Sequence, residues 1–350
     1  MKGRSVDCAY FSYGLSVLAS GEISGLPAYD GSRPADVRIW LNTPPAVGST
    51  GERARWYQSP RVNASGRPKL IIWRTVPEGA FHFVYGDGIE FLIQSDGSEV
   101  WCTWPEPATV ADAAVHLYGP ILGLVLRLRG VVCLHASAIA LGRSAIALLG
   151  SSRAGKSTTA AGFVKLGFPL LSDDVTALNP DGDRFSVLPG YPRLNLWPDA
   201  GEVLYGSEDS LPRVTPPGGI NRSWDKRYVD LAADDRFQRT PLPLAAVYVL
   251  GDRAGGDVAP RIEPLSPKDA FMTLTDETYL NYALDECMRA EEFRVLGQLV
   301  RTIPVRIVTA HDSAARVLDV CATILDDYEG LTSGVERPVN LGAVQAADRA

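Results

Sequence analysis

The sequence predicts an α/β (α+β) chain in two parts, a β-rich N-terminal domain and a longer domain in which strands alternate with helices. Three observations lead there. Up to about residue 106, short apolar or alternating runs are separated by turn signals such as Asp30-Gly31, Gly86-Asp87-Gly88 and Ser95-Asp96-Gly97. Between residues 144 and 166 an apolar strand-like run is followed by a glycine-rich loop and then by a helical pattern. Helical periodicity then returns at 267–300 and 314–327. The length, 350 residues, suits about two domains at roughly 150 residues each. An apolar share of 46% against 21% charged is that of a globular chain with a sizeable core.

The elements follow in order. Residues 9–18, 37–41, 70–74, 81–85, 89–94 and 100–104 read as strands, the last three as a meander. A Pro-rich linker, Trp104-Pro105-Glu106-Pro107, closes this domain at 106. Residues 110–129 read as a helix kinked at Pro120. Val131–Leu141 and Ser144–Leu149 are expected to form a hairpin turned at Gly142-Arg143. A helix over 156–166, ended by Gly167, leads to a buried strand at 168–172. Residues 175–178 and 184–188 should flank a turn at Asn179–Gly182. The Pro- and Gly-rich stretch 189–230 reads as irregular and mobile, with the part from 207 to 228 as a cover over a site. Strands at 244–250 and 303–308 and helices over 267–300 and 314–327 complete a domain spanning 107–329. Residues 330–350 read as a disordered tail.

Charge and cysteine content exclude some functions. Asp and Glu outnumber Lys and Arg, 41 to 34, for a net charge of −7. That argues against a nucleic-acid or anionic-membrane partner held by bulk charge. Five cysteines without paired spacing fit a reduced, cytoplasmic chain rather than a disulfide framework. The four histidines are scattered, so no zinc pattern emerges. Lys2 and Arg4 before 9–19 resemble a signal peptide only superficially, because Asp7 and the polar content interrupt it. The apolar region 120–150 is cut by Arg127, Arg129, His135 and Arg143, and no uncharged stretch reaches the roughly 18 residues of a membrane span.

The chemistry is concentrated in Gly150, Ser151, Ser152, Arg153, Ala154, Gly155, Lys156, Ser157 and Thr158, which match GxxxxGK[ST] between a strand and a helix. Such a loop turns successive N–H groups toward phosphate oxygens, and the following helix adds its positive end. Lys156, expected on the loop surface, would reach the β/γ phosphates of ATP, and Ser157 would ligate Mg²⁺. With only 6 Lys against 28 Arg, a lysine at this position stands out from the background. Asp173 and Asp174 end the next buried strand, where one carboxylate can serve Mg²⁺ and the other can take a proton from an attacking hydroxyl. The expected hairpin brings His135 toward the same end, to contact a phosphate or orient a carboxylate. Arg193 and Lys226 are candidate phosphate-binding cations in or beside the Pro/Gly-rich stretch.

These pieces resemble HPr kinase/phosphorylase: Leu134-His135-Ala-Ser-Ala-Ile, then Gly150–Thr158, then Gly167-Phe-Pro-Leu-Leu-Ser-Asp173-Asp174. The whole-chain layout, with Pro189–Trp197, is similar to the HPr-kinase-related kinases, some of which phosphorylate a serine of a lasso-peptide precursor. The close match covers residues 131 to 198. It implies the HPr kinase C-terminal fold for the second domain, ATP and Mg²⁺ as cofactors, Asp173 as general base assisted by His135, and Ser157 with Asp174 on the metal. The Glu-Leu-Arg-Gly signature of the bacterial HPr kinases is replaced by Tyr191-Pro192-Arg193-Leu194. The resemblance therefore carries kinase activity, not the reverse phosphorylase activity or HPr as substrate.

The expectation is thus an ATP- and Mg²⁺-dependent kinase acting on a serine of a protein or peptide. Two alternatives stay open: a small-molecule P-loop kinase and a nucleotide-binding regulator without turnover. Homo-oligomerisation is left open too.

Overall fold

The computed structural model describes residues 7–45, 52–215, 220, 225–233, 235–254, 259–311 and 313–333. Its architecture is mixed α/β, with two large sheets.

The first sheet has eight strands: β1 (Cys8–Ser12), β2 (Leu15–Ala19), β3 (Val37–Leu41), β4 (Glu52–Gln58), β5 (Leu70–Val76), β6 (Phe81–Tyr85), β7 (Glu90–Ile93) and β8 (Glu99–Thr103). Their order is β1-β2-β3-β8-β7-β6-β5-β4. The meander of the last three runs is present and extends back through β5 to β4. The run 9–18 is two strands, not one. Tyr13 and Gly14, both at positive φ, turn it into a hairpin. Strand β4 lacked any apolar alternation because it is an exposed edge strand with little to bury.

One face of this sheet packs on α1 (Val110–His116) and α2 (Leu122–Leu128), joined through a π-turn at Leu117–Ile121 that contains Pro120. Proline has no N–H to give an α-helical bond, and the wider turn absorbs the defect where a kink was expected. Thr109 starts the helix, its N–H and hydroxyl both donating to Asp112. By length and composition 110–128 is apolar enough to cross a membrane, but it is mostly buried in the fold: Leu117, Ile121, Leu124 and Val125 sit in one core with Ile39, Phe83, Phe91 and Val100.

The second sheet contains β9 (Val132–Leu134), β10 (Ala136–Leu141), β11 (Ser144–Leu149), β12 (Leu170–Ser172), β13 (Thr176–Asp181), β14 (Arg184–Leu188), β17 (Leu242–Ala254), β18 (Arg261–Pro264) and β19 (Val305–His311). Between β14 and β17, β15 (Arg193–Leu196) and β16 (Arg227–Asp230) pair as a separate ribbon. Both faces of the second sheet are covered. Ile139, Ile146 and Leu148 pack on α3 (Lys156–Lys165) and α7 (Val317–Thr332), while Ala138, Ala147 and Leu149 face α5 (Pro267–Asp276) and α6 (Glu286–Thr302). Burial on both faces is why these strands read as continuous apolar runs.

The hairpin at Gly142-Arg143 forms as expected, with Leu141 opposite Ser144. Its first strand is interrupted at His135, whose N–H donates to Glu277 O instead of to the sheet. The turn expected at 179–182 lies at Gly182-Asp183, since Pro180 and Asp181 still pair with Phe185 and Arg184. Pro180 is tolerated because β9 pairs only as far as Leu178, so no ladder needs its N–H on that side. Segment 189–230 is not irregular throughout: it holds β15, β16 and α4 (Pro198–Tyr205), begun by Pro198 at the first helical position. The helix expected over 267–300 is broken between Asp276 and Glu286, and β18 at 261–264 had no sequence signal of its own. Helix α7 runs on through Thr332; the rest of the expected tail, 334–350, lies outside the described residues.

Candidate functional site

Strand β10 is antiparallel to both β11 and β12, so those two run in the same direction with β10 between them. Their carboxyl ends meet at one edge of the sheet. The Gly150–Thr158 loop leaves β11 there and Asp173-Asp174 leaves β12, as ligand sites in α/β sheets are arranged. A cleft of about 620 Å³ opens at this edge, lined among others by the loop, both aspartates, His135, Trp197 and Lys226.

The loop needs its glycines. Gly150 has φ +146°, and a Cβ there would stand 2.8 Å from Leu250 O; Gly155 has φ +103° at the start of α3. The guanidinium of Arg253, from β17, donates to the carbonyls of Arg153 at 3.4 Å and Ala154 at 3.1 Å and braces the outer side of the loop. Lys156 was expected on the loop surface; it is instead buried, 8% exposed, with Nζ donating to Gly150 O at 2.5 Å and Ser151 O at 3.2 Å. Folding back satisfies the ammonium on carbonyls of its own loop. Burial lowers its pKa, against the opposing pull of Glu277, Asp174 and Asp173.

The two aspartates have different surroundings. Asp173 is 2% exposed. Its Oδ1 accepts from Ser137 Oγ at 2.6 Å and Ser157 Oγ at 2.9 Å, and its Oδ2 accepts from Asn195 N at 3.1 Å. Asp174, at φ +70°, turns the other way, and its side chain is 41% exposed. Its Oδ1 lies 3.3 Å from His135 Nε2, and its Oδ2 accepts from Tyr279 Oη at 2.9 Å. Partial desolvation alone would raise the Asp174 pKa; the hydrogen bond and charge of His135, the Lys226 ammonium and the Tyr279 hydroxyl outweigh it and hold the carboxyl well below its usual range.

Of the expected site residues, the structure gathers the loop, His135, both aspartates and Lys226 around one cleft. Lys226 and Arg153 stand 5.4 and 5.8 Å from the ring centre of Trp197 at its mouth. Arg193 is a correction: it points away from the cleft to the N-terminal segment, donating to Ser24 Oγ at 2.9 Å and lying 4.2 Å from the Tyr228 ring centre. Arg193 and Asn195 fall on the same alternation of β15, but the long Arg193 side chain reaches away from Asn195 to lie against Gly25. The expected cover over 207–228 falls partly on 216–219 and 221–224, Arg222 among them, which lie outside the described residues. Arg213 and Val214 within it pair back onto Arg227 and Lys226.

Sequence reasoning missed Ser137, Asn195, Arg253 and Tyr279 as site residues. Ser137 shares an alternating pattern with His135, which was a usable signal. Tyr279 reaches Asp174 across 105 positions, and its visible trace is indirect: Gly119 and Gly123, one turn apart in an apolar helix, mark a close approach by something large.

No family model matches the chain, and no curated protein matches it. Among solved structures it is similar to the Hpr(Ser) kinase/phosphatase from Coxiella burnetii, at 9% identity and a TM-score of 0.29, over 57% of this chain and 98% of that one.

Proposed function

We propose that the chain is an ATP- and Mg²⁺-dependent kinase that transfers the γ-phosphoryl group to a serine hydroxyl of a protein or peptide, a lasso-peptide precursor being the acceptor to try first. The observation that carries the reading is the juxtaposition in one cleft of a GxxxxGKS loop, a carboxylate bonded to the loop serine and a second carboxylate paired with a histidine.

Mg²⁺ suits the donors available. Ser157 Oγ and Asp173 Oδ1, 2.9 Å apart, are hard oxygens on converging elements, and these two would hold the ion. When bound, the ion neutralises charge on the phosphate oxygens. The chain does the rest. Loop N–H groups and the start of α3 receive the phosphates, and Lys156 exchanges its loop carbonyls for phosphate oxygen. Asp174 takes the acceptor's proton as the serine oxygen attacks phosphorus and the bond to the departing ADP breaks, with His135 steadying the carboxyl.

This exchanges the roles that sequence alone suggested for the two carboxylates. Supporting the exchange, Asp173 is 2% exposed and already bonded to the loop serine that would share the ion, while the Asp174 side chain is 41% exposed at the cleft. The test is mass spectrometry of a serine-containing precursor peptide incubated with enzyme and Mg·ATP. A phosphorylated serine is expected. Phosphorylation of a small metabolite only, or nucleotide binding with no turnover, would refute the reading in favour of one of its two alternatives.

A further inference from the structure

The break between α5 and α6 was expected to be helix, and it has a structural purpose. Residues 277–285 form a strap tied to both sheets. On the second sheet, His135 N donates to Glu277 O, Tyr279 N donates to Cys133 O, and Leu134 bridges Thr278. On the first sheet, Tyr282 stacks on Tyr57 of β4 with ring centres 4.4 Å apart, and Arg74 of β5 lies 3.4 Å from Asp285, the residue that caps α6. Leu280 sits at φ +60°, a conformation a leucine keeps only where its surroundings over-determine it.

What the strap holds in place is Tyr279. Its buried hydroxyl donates to Asp174 Oδ2 at 2.9 Å, and its ring stands edge-on to His135, 5.8 Å between centres at 79°. The helix below makes room for it. A Cβ on Gly119 would come within 2.5 Å of the Tyr279 hydroxyl and 2.7 Å of Asp174 Oδ2; one on Gly123 would come within 2.9 Å of the ring. Two glycines in an apolar helix are unfavourable by propensity, so their place here is explained by this close approach. Packing alone would be met by phenylalanine; the hydroxyl is spent on the carboxylate.

We propose that Tyr279 is a positioning residue for the Asp174–His135 pair, fixing through its hydroxyl and ring the orientation in which the pair meets the acceptor hydroxyl. What the pair does rests on the kinase reading above; that Tyr279 holds it does not. The strap also gives the N-terminal sheet a share in the site, since β4 and β5 buttress the segment that carries the tyrosine.

Tyr279→Phe keeps the ring and removes one hydrogen bond to a charged group. The expected result is a fall in kcat of about tenfold, with Mg·ATP affinity by calorimetry and the melting temperature near those of the parent chain. Gly119→Ala, pressing on the same atoms, should cause a similar loss, and the double variant should lose no more than either alone. Parental kcat in Tyr279→Phe would overturn the inference and leave the kinase reading standing, as would a fall in Mg·ATP affinity as large as the fall in kcat. A crystal structure of Tyr279→Phe decides the matter without any activity, even if the parent chain transfers no phosphate. The Asp174 carboxylate is expected to leave its 3.3 Å contact with His135; a carboxylate unmoved would overturn the inference.

Discussion

Replacing each aspartate by asparagine tests the proposed division between metal holding and proton transfer, and the hydrogen-bond geometry sets what each change should do. Asp173 accepts two hydroxyls on Oδ1 and a backbone N–H on Oδ2. An asparagine has one accepting oxygen and one NH₂ group. Asn195 N–H can only donate, so the amide oxygen must face it, and the NH₂ must face Ser137 and Ser157. Hydroxyls can rotate to accept, so the fold survives at a cost of about 1–2 kcal/mol, on the scale of one weakened charge-assisted hydrogen bond. For a chain of this size that is a fall of only about 1–3 °C in melting temperature. The Ser157 hydroxyl, however, is reversed and the anionic oxygen is gone, so Mg·ATP affinity should fall at least about tenfold, the loss expected of one charge-assisted contact. Asp174→Asn leaves the Ser157–Asp173 contact intact and should bind Mg·ATP nearly as the parent does, yet transfer roughly 10²–10⁴-fold more slowly. Calorimetry with Mg·ATP, a thermal melt and a single-turnover transfer assay on both variants complete the comparison. Should Asp173→Asn bind normally while Asp174→Asn loses metal-dependent binding, the roles proposed for the two carboxylates are wrong and the opposite assignment holds.

Lys156→Ala should cut transfer by more than about 10²-fold, the usual loss when a charge-stabilising donor is removed. Because Lys156 is buried on two carbonyls, a modest loss of melting temperature should accompany it, and activity at the parental rate would end the phosphate-loop reading. Arg193→Ala should leave Mg·ATP affinity unchanged, since the side chain contacts Ser24 and Tyr228 rather than the cleft; a tenfold weaker affinity in calorimetry would return it to the site. Arg127 and Glu292, 4% and 5% exposed and 2.6 Å apart, join α2 to α6. Glu292→Leu strands the guanidinium and should cost about 3–5 kcal/mol in denaturant unfolding, whereas Arg127→Met with Glu292→Leu should recover most of it. A double-variant loss equal to the sum of the two single-variant losses would show that the pair is not coupled.

What was legible in the sequence is what local chemistry determines. The loop from Gly150 to Gly155 was legible as a loop because its glycines and the apolar runs on either side place it between a strand and a helix, which is where β11 ends and α3 begins. The hairpin at Gly142-Arg143 and the helix stop at Gly167 were legible for the same reason: a turn or a cap draws on residues within a few positions. The failures share the opposite character. Strand β4 carries no apolar alternation because the sheet leaves it exposed at an edge, and only its pairing with β5 makes it a strand. The helix pattern over 267–300 was real in its two halves, but the break between them is imposed by bonds to Cys133, His135, Tyr57 and Arg74, none nearer than about 140 positions in the chain. The same distance hid the difference between the two aspartates. Adjacent in sequence and identical in type, they are told apart only by what the fold brings to each: two serines and a backbone N–H to Asp173, a histidine and a tyrosine to Asp174. A motif can therefore nominate the pair, but what distinguishes its members depends on contacts that no local pattern encodes, drawn from β10, α3, β15, the break between β9 and β10, and the strap between α5 and α6.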